Sequence, residues 1–188
     1  TKAQEKVESM HHWTRKQVLD YDDVMDLYRR VREDHPMLGI TLPANLLRVE
    51  TECRRLGAEG ARVRLCVGSY PAGRAVSHVT EHDKALALVR CLRILMESRA
   101  YPMLATHDPR IIELAQELAL RNGRGPESFE YQMFHGVRPL EQRRLADIGL
   151  RCRTYIPFGP GWYGYLATRM AARPRILFSY ARALLDKR

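Results

Sequence analysis

Tyr101-Pro102-Met103-Leu104-Ala105-Thr106-His107-Asp108-Pro109 packs an apolar run, a polar cluster and a helix start into one short stretch. Its apolar part has the length and composition of a buried strand. Asp108 before Pro109 is an N-cap with proline in the first turn. Ile111, Ile112, Ala115 and Leu118 then recur at helical spacing until Asn122-Gly123 stops the helix. The same order of strand, polar cluster and helix recurs on both sides. Downstream, residues 129–134 lead to a helix over 139–148. Residues 153–158 lead to helical patterns over 162–170 and 176–185, with Pro174 between them. Upstream, residues 63–67 run through a loop over 68–79 into a helix over 81–97. Thr80, three before Asp83, caps that helix. Residues 37–42 lead to a helix over 44–56, closed by Gly57 to Gly60. Repeated units of this kind build parallel α/β folds, which place their chemistry at the carboxyl ends of the strands. The expected fold class is therefore α/β, a partial (β/α)8 TIM-type barrel of about five βα units. A long amino-terminal helix precedes it over 3–32, with Val18, Tyr21, Met25, Tyr28 and Val31 on one face, broken at Asp34-His35-Pro36. The domains expected are 1–33, the long helix, and 34–188, the partial barrel.

The chain's 188 residues suffice for one buried core, and 45% hydrophobic with 28% charged residues are those of a soluble globular protein. No apolar run approaches the ~20 residues of a membrane span, and Thr1 to Lys6 has no signal-peptide core. Cys53, Cys66, Cys91 and Cys152 show no paired spacing, which fits reduced thiols and a cytoplasmic setting. The net charge of +9 is uneven: from residue 121 onward 13 Lys/Arg face 5 Asp/Glu. These cations are scattered and not interleaved with aromatics, so a small anionic ligand suits them better than nucleic acid.

Three patterns that resemble known sites do not hold up. The carboxylates of Asp20-Tyr21-Asp22-Asp23 do not converge on a helix and read as a solvated face. His78 and His82 lack a third ligand, so no metal is expected. Gly159-Pro160-Gly161-Trp162-Tyr163-Gly164 matches a dinucleotide fingerprint, but the sequence after its helix offers no further strand of that fold. Thr106-His107-Asp108 is suited to an anion at a helix N-terminus, or simply to capping with His107 solvated. Gln132 and His135 flank a strand end, where a ligand or a neighbouring strand would serve them. Tyr165 and Arg169, one helical turn apart, form either a carboxylate clamp or a surface pair.

Together these segments resemble proline dehydrogenase, the FAD-dependent (β/α)8-barrel enzyme that oxidises L-proline to 1-pyrroline-5-carboxylate. The similarity is carried by 64–70 (RLCVGSY), 101–108 (YPMLATHD), 129–133 (FEYQM), Tyr155 and 165–169 (YLATR). The resemblance implies that Arg64 stands by the flavin ring as a cation for its reduced form, with the backbone of Cys66 and Gly68 also facing it. It implies that Thr106 and His107 contact the ribityl–phosphate side, and Gln132 joins this cofactor-binding set. Leu65, Tyr70, Tyr155 and Tyr165 would wall the proline pocket, and Arg169 would hold the substrate carboxylate. Arg64, Tyr155, Tyr165 and Arg169 are the residues expected to carry catalysis.

The sequence departs from the family pattern at Val67, where lysine is expected, and at Thr168 and Ala172, where arginine and glutamate are. Pro43 and Asn45 occupy a strand end where glutamine and tyrosine are usual, and Val79 lies near an expected lysine. Only the last five βα units of the barrel find a counterpart. Residues 3–31, above all Leu19-Asp20-Tyr21-Asp22-Asp23-Val24-Met25, instead resemble the helical scaffold region of SecA, without its ATP-binding motifs. The expected partners are L-proline and an electron acceptor (a quinone or a dye). Peripheral membrane contact and a homo-oligomer stay open, as do two other functions: an inactive flavin-binding pseudoenzyme and a helical interaction module.

Overall fold

The computed structural model describes residues 21–68 and 72–164. Helix α1 (Tyr21–Asp34) leads into strand β1 (Gly39–Pro43), and helix α2 (Val49–Ala58) into β2 (Arg62–Cys66). Helix α3 (Glu81–Glu97) precedes β3 (Tyr101–Ala105), and α4 (Pro109–Arg121) precedes β4 (Glu130–Phe134). Helix α5 (Pro139–Asp147) precedes β5 (Cys152–Tyr155). The five strands form one sheet in the order β1-β2-β3-β4-β5, every neighbouring pair parallel. Sequential order without a reversal is the winding of a barrel wall, whereas a doubly wound sheet reverses direction at a switch point. The fold class expected from the sequence is thus the one observed, over five strands.

Alternation divides the strands into two faces. Ile40, Leu42, Val63, Leu65, Leu104, Tyr131 and Met133 are buried toward the helices. They join Leu56, Leu88, Leu92, Leu95, Ile112 and Leu118 in a single core. The opposite face carries Thr41, Arg62, Arg64, Tyr101, Glu130, Gln132 and Arg153, and it is polar. The helices begin where the sequence caps them. Thr80 accepts a hydrogen bond from the Asp83 N–H, and Asp108 accepts one from the Arg110 N–H.

Three expected boundaries move. The helix expected from Ala44 begins at Val49, because neighbouring strands and loops use the intervening backbone. Ala44 and Asn45 donate to Cys66 and Val67 at 2.7 and 2.9 Å, and Leu47 donates to Val76. Leu46 bridges Ser77. The first strand starts at Gly39, since Leu38 closes a turn onto His35. The last strand ends at Tyr155: beyond it β4 has no residues left to pair, and Ile156 and Phe158 are exposed.

Helix α1 lies on this core. Met25 and Tyr28 are buried in it, and Arg32 reaches Glu59 past the end of α2. Asp22, in the acidic run, pairs with Arg48. The remainder of the expected helix, 3–20, lies outside the described residues. Among the described residues the buried Tyr28 hydroxyl has no hydrogen bond of good geometry, with only the Arg32 guanidinium beside it, and such a group weakens a fold by about 1–3 kcal/mol. Tyr28→Phe is therefore expected to leave the urea midpoint unchanged or raise it. A clear fall would show that the hydroxyl is bonded in solution.

Candidate active site on the polar face of the sheet

The polar face is organised by one carboxylate. Glu130, at the start of β4, is only 2% exposed. Arg153 on β5 grips both its oxygens, Nε and Nη2 each at 3.0 Å. The Tyr101 hydroxyl donates to Oε2 at 3.3 Å, and the Gln132 amide donates to Oε1 at 2.7 Å. The other end of that amide, Oε1, accepts from Arg64 Nε at 2.7 Å. Arg64 is on β2 and Gln132 on β4, so this bond passes over β3. Ala105, paired with both Cys66 and Gln132, offers only a methyl there. No other partner of the Arg64 guanidinium is found among the described residues. Arg62 lies over the Tyr101 ring, 3.9 Å from its centroid.

Burial pushes the Glu130 carboxyl up, but hydrogen bonds from Arg153 and Gln132, the Arg153 charge and the Tyr101 hydroxyl more than offset it. The group is held below its ordinary value of 4.5. The sign for stability follows: on acidification the unfolded chain takes up this proton first. The contribution of Glu130 is complete above the ordinary value and is lost as pH falls through the lower, folded one. Chemical denaturation of the wild type and Glu130→Gln between about pH 7 and about pH 3 checks this. The stability gap between them is expected to close toward acid; a constant gap would contradict an ionised Glu130.

At the carboxyl ends of the strands, His107, Phe134 and Tyr155 form a row. His107 Nε2 accepts the Phe134 N–H at 2.9 Å, which leaves the ring proton for Nδ1. The His107 and Phe134 rings stack at 5.7 Å, and Tyr155 meets Phe134 edge-on at 5.2 Å. Thr106, 7% exposed, accepts the Asp108 N–H and so supports the α4 cap. Arg138 bonds the His107 carbonyl at 2.9 Å. It does so from left-handed backbone, φ 51°, a conformation that strains a non-glycine residue. Its neighbours, Gly136 and Pro139, shape that turn.

At the end of β2 the chain passes tightly against Asn45. Gly68 has φ 93°, and a Cβ there would meet Asn45 Oδ1 at 1.8 Å, so only glycine fits. Asn45 is 6% exposed, and its Oδ1 has no hydrogen-bond partner among the described residues.

Of the residues expected in the site, Arg64 and Gln132 are bonded to each other, and Thr106, His107 and Tyr155 share the rim. Cys66 is half-buried on the polar face, its thiol 3.8 Å from the Leu42 carbonyl. His107 is not simply solvated, as one reading had it, but anchored to the β4 backbone. Leu65 is corrected: it is fully buried toward the helices, because alternation turns it away from the face that carries Arg64. Its side chain cannot wall a pocket there. Tyr70, Tyr165 and Arg169, with Thr168 and Ala172, lie outside the described residues. Among the described residues no cluster of metal-ligating side chains occurs, and no helix is long and apolar enough to cross a membrane. The sequence reading missed Glu130, Arg153 and Arg138. The i, i+2 pair Glu130 and Gln132 was a visible signal, since both must share one face, but their partner strand was not.

Comparison with known proteins gives a consistent picture. The family model for proline dehydrogenase matches residues 80–169, and that for the SecA Wing and Scaffold domain matches residues 1–31. Proline dehydrogenase 1 of Bacillus subtilis (strain 168) is 29% identical over 167 residues, covering 89% of this chain and 55% of the relative. Proline dehydrogenase 2 of the same organism is 30% identical, over 83% and 52%. The proline dehydrogenase of Deinococcus radiodurans is 32% identical, over 73% and 44%. The chain thus spans about half the length of the curated relatives it matches. Proline utilization A of Bdellovibrio bacteriovorus, inactivated by N-propargylglycine, superposes with a TM-score of 0.63 at 24% identity, over 70% of this chain and 16% of that one. Proline utilization A of Corynebacterium freiburgense gives 0.60 at 15% identity, over 79% and 18%. At these identities the structural likeness establishes the fold.

Proposed function

This chain is similar to proline dehydrogenases over most of its length, and from that premise we propose that it serves FAD-dependent oxidation of L-proline to 1-pyrroline-5-carboxylate. In this reading residues 34–188 form the carboxyl-terminal part of the catalytic barrel and residues 1–33 a leading helical segment, whose Met25 and Tyr28 pack into the barrel's core. The observation that carries the reading is Arg64, a cation on the polar face near the strand ends, held by Gln132 at 2.7 Å and with no other partner among the described residues. The residues present fit a flavin. The half-buried Arg64 guanidinium puts a positive charge beside Gln132 and Cys66 on the polar face, which suits a ring that becomes anionic on reduction; Gly68 is required there by its contact with Asn45.

Bound here, FAD would supply the chemistry by accepting a hydride from the proline ring; the protein's part is to bind, orient and stabilise charge. Arg64 would place its guanidinium where negative charge develops on reduction. Cys66 and Gly68 would present backbone to the cofactor, and Thr106, His107 and Gln132 would line its side of the site. Tyr155, exposed at the rim against Phe134, would form one wall of the proline pocket with Tyr70 and Tyr165. Arg169 would hold the substrate carboxylate as a charged fork. A quinone or dye would then take the electrons.

The test is a visible absorbance spectrum of the purified chain with and without added FAD, followed by L-proline. A flavin band that bleaches with proline is the expected result. A bound flavin that proline cannot bleach would favour the pseudoenzyme, to which Val67, in place of the family's lysine, points. Absence of flavin binding would overturn the proposal and favour an interaction module.

A further inference from the structure

We propose that Glu130 is a positioning residue: it fixes the Gln132 amide so that its oxygen faces Arg64, and thereby sets where the Arg64 guanidinium points. The inference deepens, and rests on, the reading of Arg64 as the cation beside a flavin.

A glutamine amide has nearly the same shape in either orientation, but one end accepts and the other donates. Arg64 Nε–H can only donate, and an ionised carboxylate can only accept. The observed bonds, Arg64 Nε to Gln132 Oε1 and Gln132 Nε2 to Glu130 Oε1, each 2.7 Å, satisfy both demands at once. A flipped amide would set NH₂ against N–H and oxygen against carboxylate. Glu130 is itself immobile, because Arg153 takes both of its oxygens and Tyr101 donates to one. A buried carboxylate needs such pairing to remain charged. If Glu130 served only to tie β4 to β5 through Arg153, nothing on Arg64 would depend on it. The chain of donors and acceptors makes Arg64 depend on it, across an intervening strand.

The experiment uses the full chain in two measurements. By NMR, the Arg64 Nε–H resonance, assigned through its loss in Arg64→Lys, is expected to exchange slowly with solvent. Glu130→Gln should speed that exchange about tenfold or more, as should Gln132→Leu. Should Glu130→Gln not fold, Glu130→Asp keeps the charge but retracts the carboxylate by one methylene from Gln132 and Arg153 alike, with the same expected result. In the second measurement, the FAD dissociation constant from flavin fluorescence is expected to rise about tenfold in Glu130→Gln, yet show no further rise when Arg64 is already Met. Unchanged Arg64 exchange in the Glu130 variants would overturn the proposal, as would an equal loss of FAD affinity with and without Arg64. If the wild type binds no FAD, the functional reading fails, while the exchange measurement still decides whether Glu130 directs Arg64.

Discussion

Replacing Arg124 with alanine is expected to destabilise the fold by about 3–5 kcal/mol. No other side chain among the described residues has so many backbone partners. Its Nε donates to the Met96 carbonyl at 2.7 Å and its Nη1 to that of Ser128 at 3.2 Å. Its Nη2 reaches the carbonyls of Leu95 at 3.0 Å and Ala100 at 3.1 Å, and that of Ser98. The last turn of α3 leaves its carbonyls without helical partners and carries the negative end of the helix dipole. One guanidinium answers both needs and ties that turn to the entry of β3 and of β4. The sequence aims it there: Gly123, at φ 61°, reverses the chain after α4, and the Arg124 N–H bonds the Ala119 carbonyl at 2.8 Å. Alanine would leave several half-buried carbonyls unpaired. In urea denaturation the midpoint should fall steeply, and Arg124→Lys should recover little, because an ammonium lacks the planar fork. A loss under about 1 kcal/mol would mean that water replaces these bonds at no cost.

The second large effect concerns the proposed chemistry. At saturating FAD, Arg64→Met is expected to slow proline-dependent bleaching of the flavin by about 10²-fold or more, the scale of losing one preorganised group that stabilises developing charge. The fold should survive, since Arg64 is half-buried on the polar face and its loss frees only one end of Gln132. Arg64→Lys restores the charge but not the directed Nε–H, so partial recovery is expected. Stopped-flow absorbance with the wild type alongside gives the ratio. An unchanged rate would remove Arg64 from the mechanism and leave its bond to Gln132 a structural one.

The strand–cluster–helix repeat was readable because each signal is local. Asp108-Pro109 and Thr80 are caps whose partners lie two or three residues away, and alternating or helical apolar spacing requires no knowledge of the partner. Ala44 to Leu47 could not be read that way. Their helical composition was overridden by backbone bonds to residues 66, 67 and 76. Leu65 sits in a motif whose neighbour Arg64 belongs to the proposed site, but the pleat of β2 sends adjacent side chains to opposite faces.

The sequence by itself determined a parallel βα fold, its approximate elements and a set of rim residues, because capping, periodicity and motif order are written in consecutive residues. Only the tertiary structure decided which polar groups meet. Arg64, Gln132, Glu130 and Arg153 come from β2, β4 and β5, and their contacts exist only once strand order and register are fixed. Burial then makes those contacts obligatory: a carboxylate that is 2% exposed must find its donors within the fold, and they lie on strands distant in the chain.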